Sequence, residues 1–263
     1  MRSKAAALAA ISVLFLGAIV PAMSAEANPN ASSAAAGRRL VFADEFDGTR
    51  LDNTAWVPVY RWHIGKDGSR NDGNDEEQWY QSSNVTVANS RLVLRAERDR
   101  VRGERDGVPE WFSYRSGIVS GMRAFRYGYV EILARLPIDS GMWPALWLLP
   151  DDLSWPPEID IVEAGGRLGV VKHTFHPVGQ DQVQGETQLA DSSGWHTYGL
   201  LWEPNQLTWT IDGEETFRTG TAIPNVDMYV VANLAVGGEF SGWVDAATRF
   251  PAQMEIEYIR VYQ

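Results

Sequence analysis

From Leu40 to the C-terminus the chain alternates apolar and polar residues with a period of two, and it shows no long stripe of period 3.6. That pattern excludes a helical bundle and a layered α/β fold, and it predicts an antiparallel all-β domain. Val130, Ile132, Ala134 and Leu136 share one strand face, while Tyr129, Glu131, Leu133 and Arg135 share the other. Leu207, Trp209 and Ile211 alternate up to Asp212-Gly213, a tight-hairpin pair. Leu92, Leu94 and Ala96 repeat the pattern early in the chain, and Met254, Ile256 and Tyr258 repeat it late. No fixed-period repeat and no linker is visible, so residues 38–263 are expected to form one sandwich rather than a propeller or solenoid.

The first residues read as an export signal. Arg2 and Lys4 precede a mostly apolar run over residues 5–20, Pro21 ends it, and Ala25-Glu26-Ala27 offers a small-x-small cleavage site. Residues 1–27 are therefore expected to be a signal peptide and the protein to be secreted and extracellular. Residues 28–37, built of Ala, Ser, Asn, Pro and Gly, read as a flexible leader. Asn84-Val-Thr matches a glycosylation sequon. The absence of cysteine excludes disulfides, a thiol nucleophile and thiolate metal sites. A formal charge of −11 argues against nucleic acid as a partner, and no membrane partner is expected. Eleven Trp exceed what one core normally uses, and flat aromatic faces suit sugar rings.

Chemistry concentrates in Glu158-Ile-Asp160-Ile-Val-Glu163, three carboxylates on an apolar strand. Glu158 and Asp160 point the same way on a regular strand, and Glu163, three beyond Asp160, points the other way. One extra residue in a β-bulge returns it to the same face. Paired carboxylates beside Trp suit glycoside hydrolysis, which in its retaining form needs a nucleophile and an acid roughly 5–5.5 Å apart. Trp143 and Trp147 are expected on one face as sugar platforms, with Trp155 nearby. Asn233 sits in an apolar strand, either in the cleft or bonded to a loop; Glu131 points away from the core or into the cleft. The absence of a Gly-x-Ser-x-Gly elbow disfavours a serine hydrolase. A lectin-like jelly roll would need the aromatics but not three acids in register.

The run Glu-Ile-Asp-Ile-Val-Glu resembles the bulged E-x-D-x-x-E signature of glycoside hydrolase family 16, in the form typical of laminarinase-like endo-β-1,3-glucanases. Phe42-Ala-Asp-Glu-Phe46, Tyr127-Gly-Tyr-Val-Glu131, Gly141-Met-Trp-Pro-Ala-Leu-Trp147, Asn233-Leu-Ala-Val-Gly-Gly238 and the closing Tyr-Ile-Arg-Val-Tyr-Gln263 resemble further family blocks, so the likeness spans about Leu40 to Gln263. It implies a β-jelly-roll sandwich of two antiparallel sheets with a concave substrate cleft. It implies that Glu158 is the nucleophile, Asp160 its helper and Glu163 the acid/base. It favours the cleft for Glu131.

His176 falls in register with the family's second conserved His, while Lys172 stands where the first is usual, and His173 reads as structural. Trp155-Pro-Pro157 resembles a run in relatives acting on bacterial exopolysaccharides. The implied activity is secreted, endo-acting, retaining cleavage of β-1,3-glucan by a monomer. Alternative polymers are mixed-linkage glucan, exopolysaccharide or galactan. No catalytic cofactor is implied. The family often carries a structural calcium on the convex face, and Glu257 takes the matching acidic position.

Overall fold

The computed structural model describes residues 33–263; the expected signal peptide and most of the leader lie outside the described residues. Two antiparallel sheets face each other. One has the strand order Glu214–Thr219, Gln206–Ile211, His196–Glu203, Gly128–Arg135, Ala252–Tyr262, Leu92–Ala96, Val85–Val87, with Leu40–Asp44 also paired to Ala252–Tyr262. The other runs Val183–Gln188, Val170–His176, Glu158–Ala164, Met142–Pro150, Met228–Val236, Ile118–Gly121, Trp56–Val57. This is the expected jelly-roll sandwich. Among the described residues the helices are single 3-10 turns, and none is long and apolar enough to cross a membrane.

The alternating faces fall where the pattern puts them, except at Tyr258, which a register shift after Ile256 turns to the outer face while Ile259 and Val261 enter the core. Val130, Ile132, Ala134, Leu136, Leu207, Trp209, Ile211, Met254 and Ile256 all enter the core between the sheets. The second sheet is different: it is covered on both faces. Its outer side carries a second apolar cluster of Tyr60, Tyr80, Ile118, Ala145, Trp147, Leu149, Tyr229, Val231 and Ala235. Its central strands are therefore largely apolar on both faces, and Met228–Val236 is buried at every position, while the edge strand Val183–Gln188 stays polar. A carboxylate on such a strand sits against apolar surface rather than in open water.

The bulge is present, and it is centred on Ile161. Leu146 pairs with Val162 and Trp147 with Asp160, so Ile161 has no partner. On the other side Asp160 pairs with Thr174 and Glu163 with Lys172, three residues against two. Ile161 and Val162 both point into the inter-sheet core, and Glu163 returns to the face of Glu158 and Asp160. His173 supports the irregular backbone. Its Nδ1 lies 2.7 Å from the Ile161 carbonyl, and its Nε2 lies 3.0 Å from Thr216 Oγ1. Burial holds its pKa down to about 4, so the ring is neutral and Nδ1–H donates to the carbonyl. From the opposite sheet, Trp209 Nε1 donates to the Asp160 carbonyl at 2.8 Å.

Three expectations change here. Glu131 lies on the outer face of the first sheet, away from the cleft, 1% exposed, where Tyr258 Oη donates to it at 3.0 Å and Arg260 lies 3.7 Å away. Its strand belongs to the sheet opposite the acids, so its outward positions cannot reach them. Ser33–Ala35 of the expected leader form a 3-10 turn, and Ala35 is buried with Tyr129 and Tyr262. The Asn84 amide is buried, donating to the Arg95 carbonyl and to Glu97, which closes that sequon to glycosylation.

His173→Ala is expected to strand the buried Ile161 carbonyl and to lower unfolding free energy by about 1–3 kcal/mol. His173→Asn, whose amide nitrogen falls near the position of the ring Nδ1, is expected to recover part of that loss. Urea denaturation of both variants checks this.

Candidate active site

A cleft of about 810 Å³ runs across the outer side of the second sheet. Glu158, Asp160 and Glu163 line it together, as do Trp143, Trp147, Trp155, His176 and Asn233. The strand pairing sets the arrangement: Trp147 lies beside Asp160, Ala145 beside Glu163, and His176 beside Glu158.

Each glutamate is held by an indole N–H. Trp155 Nε1 donates to Glu158 Oε2 at 3.0 Å, and Trp143 Nε1 donates to Glu163 Oε1 at 3.0 Å. Thr174 Oγ1 donates to the second oxygen of Glu163 at 3.2 Å. His176 Nε2 lies 3.5 Å from Glu158 Oε1 and 3.4 Å from Asp160 Oδ2. That Asp160 oxygen is buried and makes no hydrogen bond.

Burial raises all three carboxyl pKa values. Glu158 and Asp160 are pushed well up, first by desolvation and then by a neighbouring negative charge, Asp160 acting on Glu158 and Glu163 on Asp160. Glu163 is raised by desolvation, against the opposing hydrogen bonds of Trp143 and Thr174. Each of the three carboxyls thus holds its proton above the ordinary carboxylate range. A strand that carries both a proton donor and a potential nucleophile has the two components of glycosidic-bond hydrolysis.

The aromatic residues divide. Trp143 is half-buried and stacks on Phe240 at 4.9 Å between centroids; Trp155 is 64% exposed at the rim. Trp147 is 7% exposed and belongs to the cleft floor, where its Nε1 donates to Asn233 Oδ1 at 2.7 Å. Asn233 Nδ2 in turn donates to Tyr80 Oη at 2.9 Å, so this amide combines both expectations: it lines the cleft and is bonded internally.

Sequence reasoning passed over several cleft residues. Glu76 is 2% exposed, lines the cleft, and accepts from Asn74 Nδ2 at 3.0 Å and Gln78 Nε2 at 2.5 Å. Trp62, 42% exposed, stacks on Tyr60 at 4.3 Å, and both belong to the cleft wall. Only the acid-rich run beside Gln78-Trp79-Tyr80 hinted at Glu76, and nothing near Trp62 marks it.

Glu257 does not join a ligand group. Arg91 Nη2 lies 3.3 Å from its carboxylate, and among the described residues the one group of three candidate ligands is Glu158, Asp160 and His176. A guanidinium on the expected calcium ligand does not fit a bound cation.

A family model described as "Glycosyl hydrolases family 16" matches residues 72–260. The chain is 33% identical over 242 residues to "Endo-1,3-1,4-beta-glycanase EglC" of Rhizobium meliloti, covering 84% of this chain and 51% of that protein. It is 34% identical over 266 residues to "Glucan endo-1,3-beta-glucosidase A1" of Niallia circulans, covering 88% of this chain and 38% of that protein. The chain thus spans about half or less of the length of these two curated relatives. Among solved structures, the catalytic domain of an endo-1,3-beta-glucanase (laminarinase) from Thermotoga petrophila aligns with a TM-score of 0.76 at 28% identity, covering 86% of this chain and 98% of that one.

The raised pKa values have a stability consequence. An acid whose folded pKa exceeds its unfolded value contributes stability that is complete at low pH and lost as pH rises through the folded value. Asp160→Asn is therefore expected to raise the melting temperature above wild type at pH 8, with the gain shrinking at pH 4. For a domain of this size each kcal/mol corresponds to about 2–4 °C. Thermal unfolding at the two pH values checks it, and a variant less stable than wild type at pH 8 refutes it.

Proposed function

The chain belongs to glycosyl hydrolases family 16, and on that premise we propose that it is a secreted, endo-acting, retaining hydrolase of β-1,3-glucan. The single observation that carries this reading is the bulged strand that turns Glu158, Asp160 and Glu163 into one cleft. A binding module has no use for three desolvated carboxyls, whose burial costs stability without contributing contact area.

In this mechanism Glu158 attacks the anomeric carbon while Glu163 protonates the departing glycosidic oxygen. Glu163, now ionised, then takes a proton from water, which hydrolyses the glycosyl-enzyme. Asp160 acts on Glu158: a proton held between the two carboxyls orients the nucleophile, and Asp160 keeps that proton as Glu158 becomes an ester and Glu163 gives up its own, so the strand's charge stays constant. Trp155 and Trp143 hold the two glutamates by their indole N–H groups, and the exposed ring of Trp155 at the rim is placed to stack on a sugar.

The polymer reading is supported by the relatives' names and by charge. Glu76, Glu158, Asp160, Glu163 and Glu239 line the cleft, and among the described residues no Lys or Arg does, which favours an uncharged chain. A second reading, mixed-linkage β-1,3-1,4-glucan, is supported by Trp155-Pro-Pro157 immediately before the nucleophile and by the Rhizobium relative. Export is supported by the charged start and apolar run of residues 2–20.

Laminarin and curdlan are expected to be cut internally to short oligosaccharides, with cellulose untouched and carboxymethylated curdlan a poor substrate. Product sizing checks this, and cleavage of barley mixed-linkage glucan with laminarin intact selects the second reading. Glu158→Ser is expected to abolish hydrolysis. Glu163→Ala is expected to form the glycosyl-enzyme from an activated substrate and to stall there, because deglycosylation lacks its base. Added azide needs no base and should restore turnover, giving a β-glycosyl azide. An α-azide would assign the two glutamates the opposite roles or an inverting course.

A further inference from the structure

Glu158, Asp160 and His176 form a three-donor group whose shape exceeds what hydrolysis requires. Their candidate ligand atoms lie within 4.8 Å of one another. His176 Nε2 is 3.4 Å from Asp160 Oδ2 and 3.5 Å from Glu158 Oε1. Donors about 2.0–2.2 Å from a tetrahedral ion are separated by roughly 3.3–3.6 Å, so both edges measured from the imidazole already have the spacing of a zinc site.

A second observation points into the same spot. Asp160 is 3% exposed, and its Oδ2 makes no hydrogen bond; its facing polar group is His176 Nε2 at 3.4 Å. Trp155 engages the other oxygen of Glu158, leaving Oε1 turned to His176. The trio opens on the cleft, so water can complete the coordination as it does in open zinc sites. The neighbouring carboxyl of Glu163 adds negative potential, and the Lys172 charge that acts on Glu163 is itself paired with Glu186.

We propose that Glu158, Asp160 and His176 bind a borderline divalent cation of the zinc class, and that occupancy shuts the active site off by engaging the nucleophile's oxygen. One imidazole with two carboxylates suits zinc; the same site is poor for magnesium or calcium, which take all-oxygen shells of six or more ligands. The regulatory half of the proposal rests on the hydrolase reading above, whereas the binding half does not.

Calorimetric titration of the purified protein with zinc chloride is expected to show one ion per chain, undisturbed by excess magnesium or calcium. Zinc at ten times its Kd should leave about a tenth of laminarin hydrolysis, by mass action, and chelation should restore it. His176→Ala is expected to weaken zinc binding roughly tenfold or more, since even the outer partners of a metal ligand are worth 10- to 100-fold. Should that variant fail to fold, Asp160→Asn and a zinc-edge anomalous diffraction map give the same decision. No zinc binding, or binding that neither variant weakens, overturns the site. Zinc binding lost in His176→Ala by a protein that cuts no polysaccharide supports the site and refutes the hydrolase reading. Hydrolysis without zinc binding does the reverse.

Discussion

The architecture of the site depends on one extra residue. Ile161 has no partner on the neighbouring strand, and its insertion lets two consecutive side chains, Ile161 and Val162, enter the inter-sheet core. Without it Glu163 would face the core, where a lone carboxyl is costly, and the cleft would hold two acids instead of three. At the bulge the Ile161 carbonyl accepts from the buried neutral ring of His173 on the next strand. Trp209 fixes the adjacent carbonyl of Asp160 from the opposite sheet. The acidic strand is therefore held from beside and from behind.

That support explains how the carboxyls persist where burial disfavours them. Each of the three has a raised pKa, and desolvation is the first cause in each. The compensation is partial: Glu158 and Glu163 receive indole hydrogen bonds, while one oxygen of Asp160 receives none. Stability lost here is the expected companion of a strand prepared for proton transfer. The same residues give the cleft its negative field, which links substrate charge and cation affinity to one physical source.

The floor and walls add selectivity by a different route. The loop through Tyr60, Trp62 and Glu76 folds over the outer side of the second sheet and turns what would be a solvated face into a lined groove. Trp147, Asn233 and Tyr80 form a hydrogen-bonded floor, so Trp147 contributes shape and packing while Trp155 remains for the ligand.

Period-two alternation by itself determined the sandwich, because strands with one buried face leave that signature at every second residue. The three acids and their need for a bulge were legible for the same reason: parity along a strand is a local property. Tertiary structure decided what parity cannot reach. Glu131 and Asn233 both occupy strand positions that sequence could assign to the cleft, yet only Asn233 belongs to the sheet that forms it. Glu76 and Trp62 reach the cleft through loops whose paths carry no periodic signal. Glu257 meets Arg91 because two strands distant in sequence pair side by side. A periodic pattern states which way a side chain points; which sheet a strand joins, and what comes to lie opposite, depends on the long-range pairing of the whole chain.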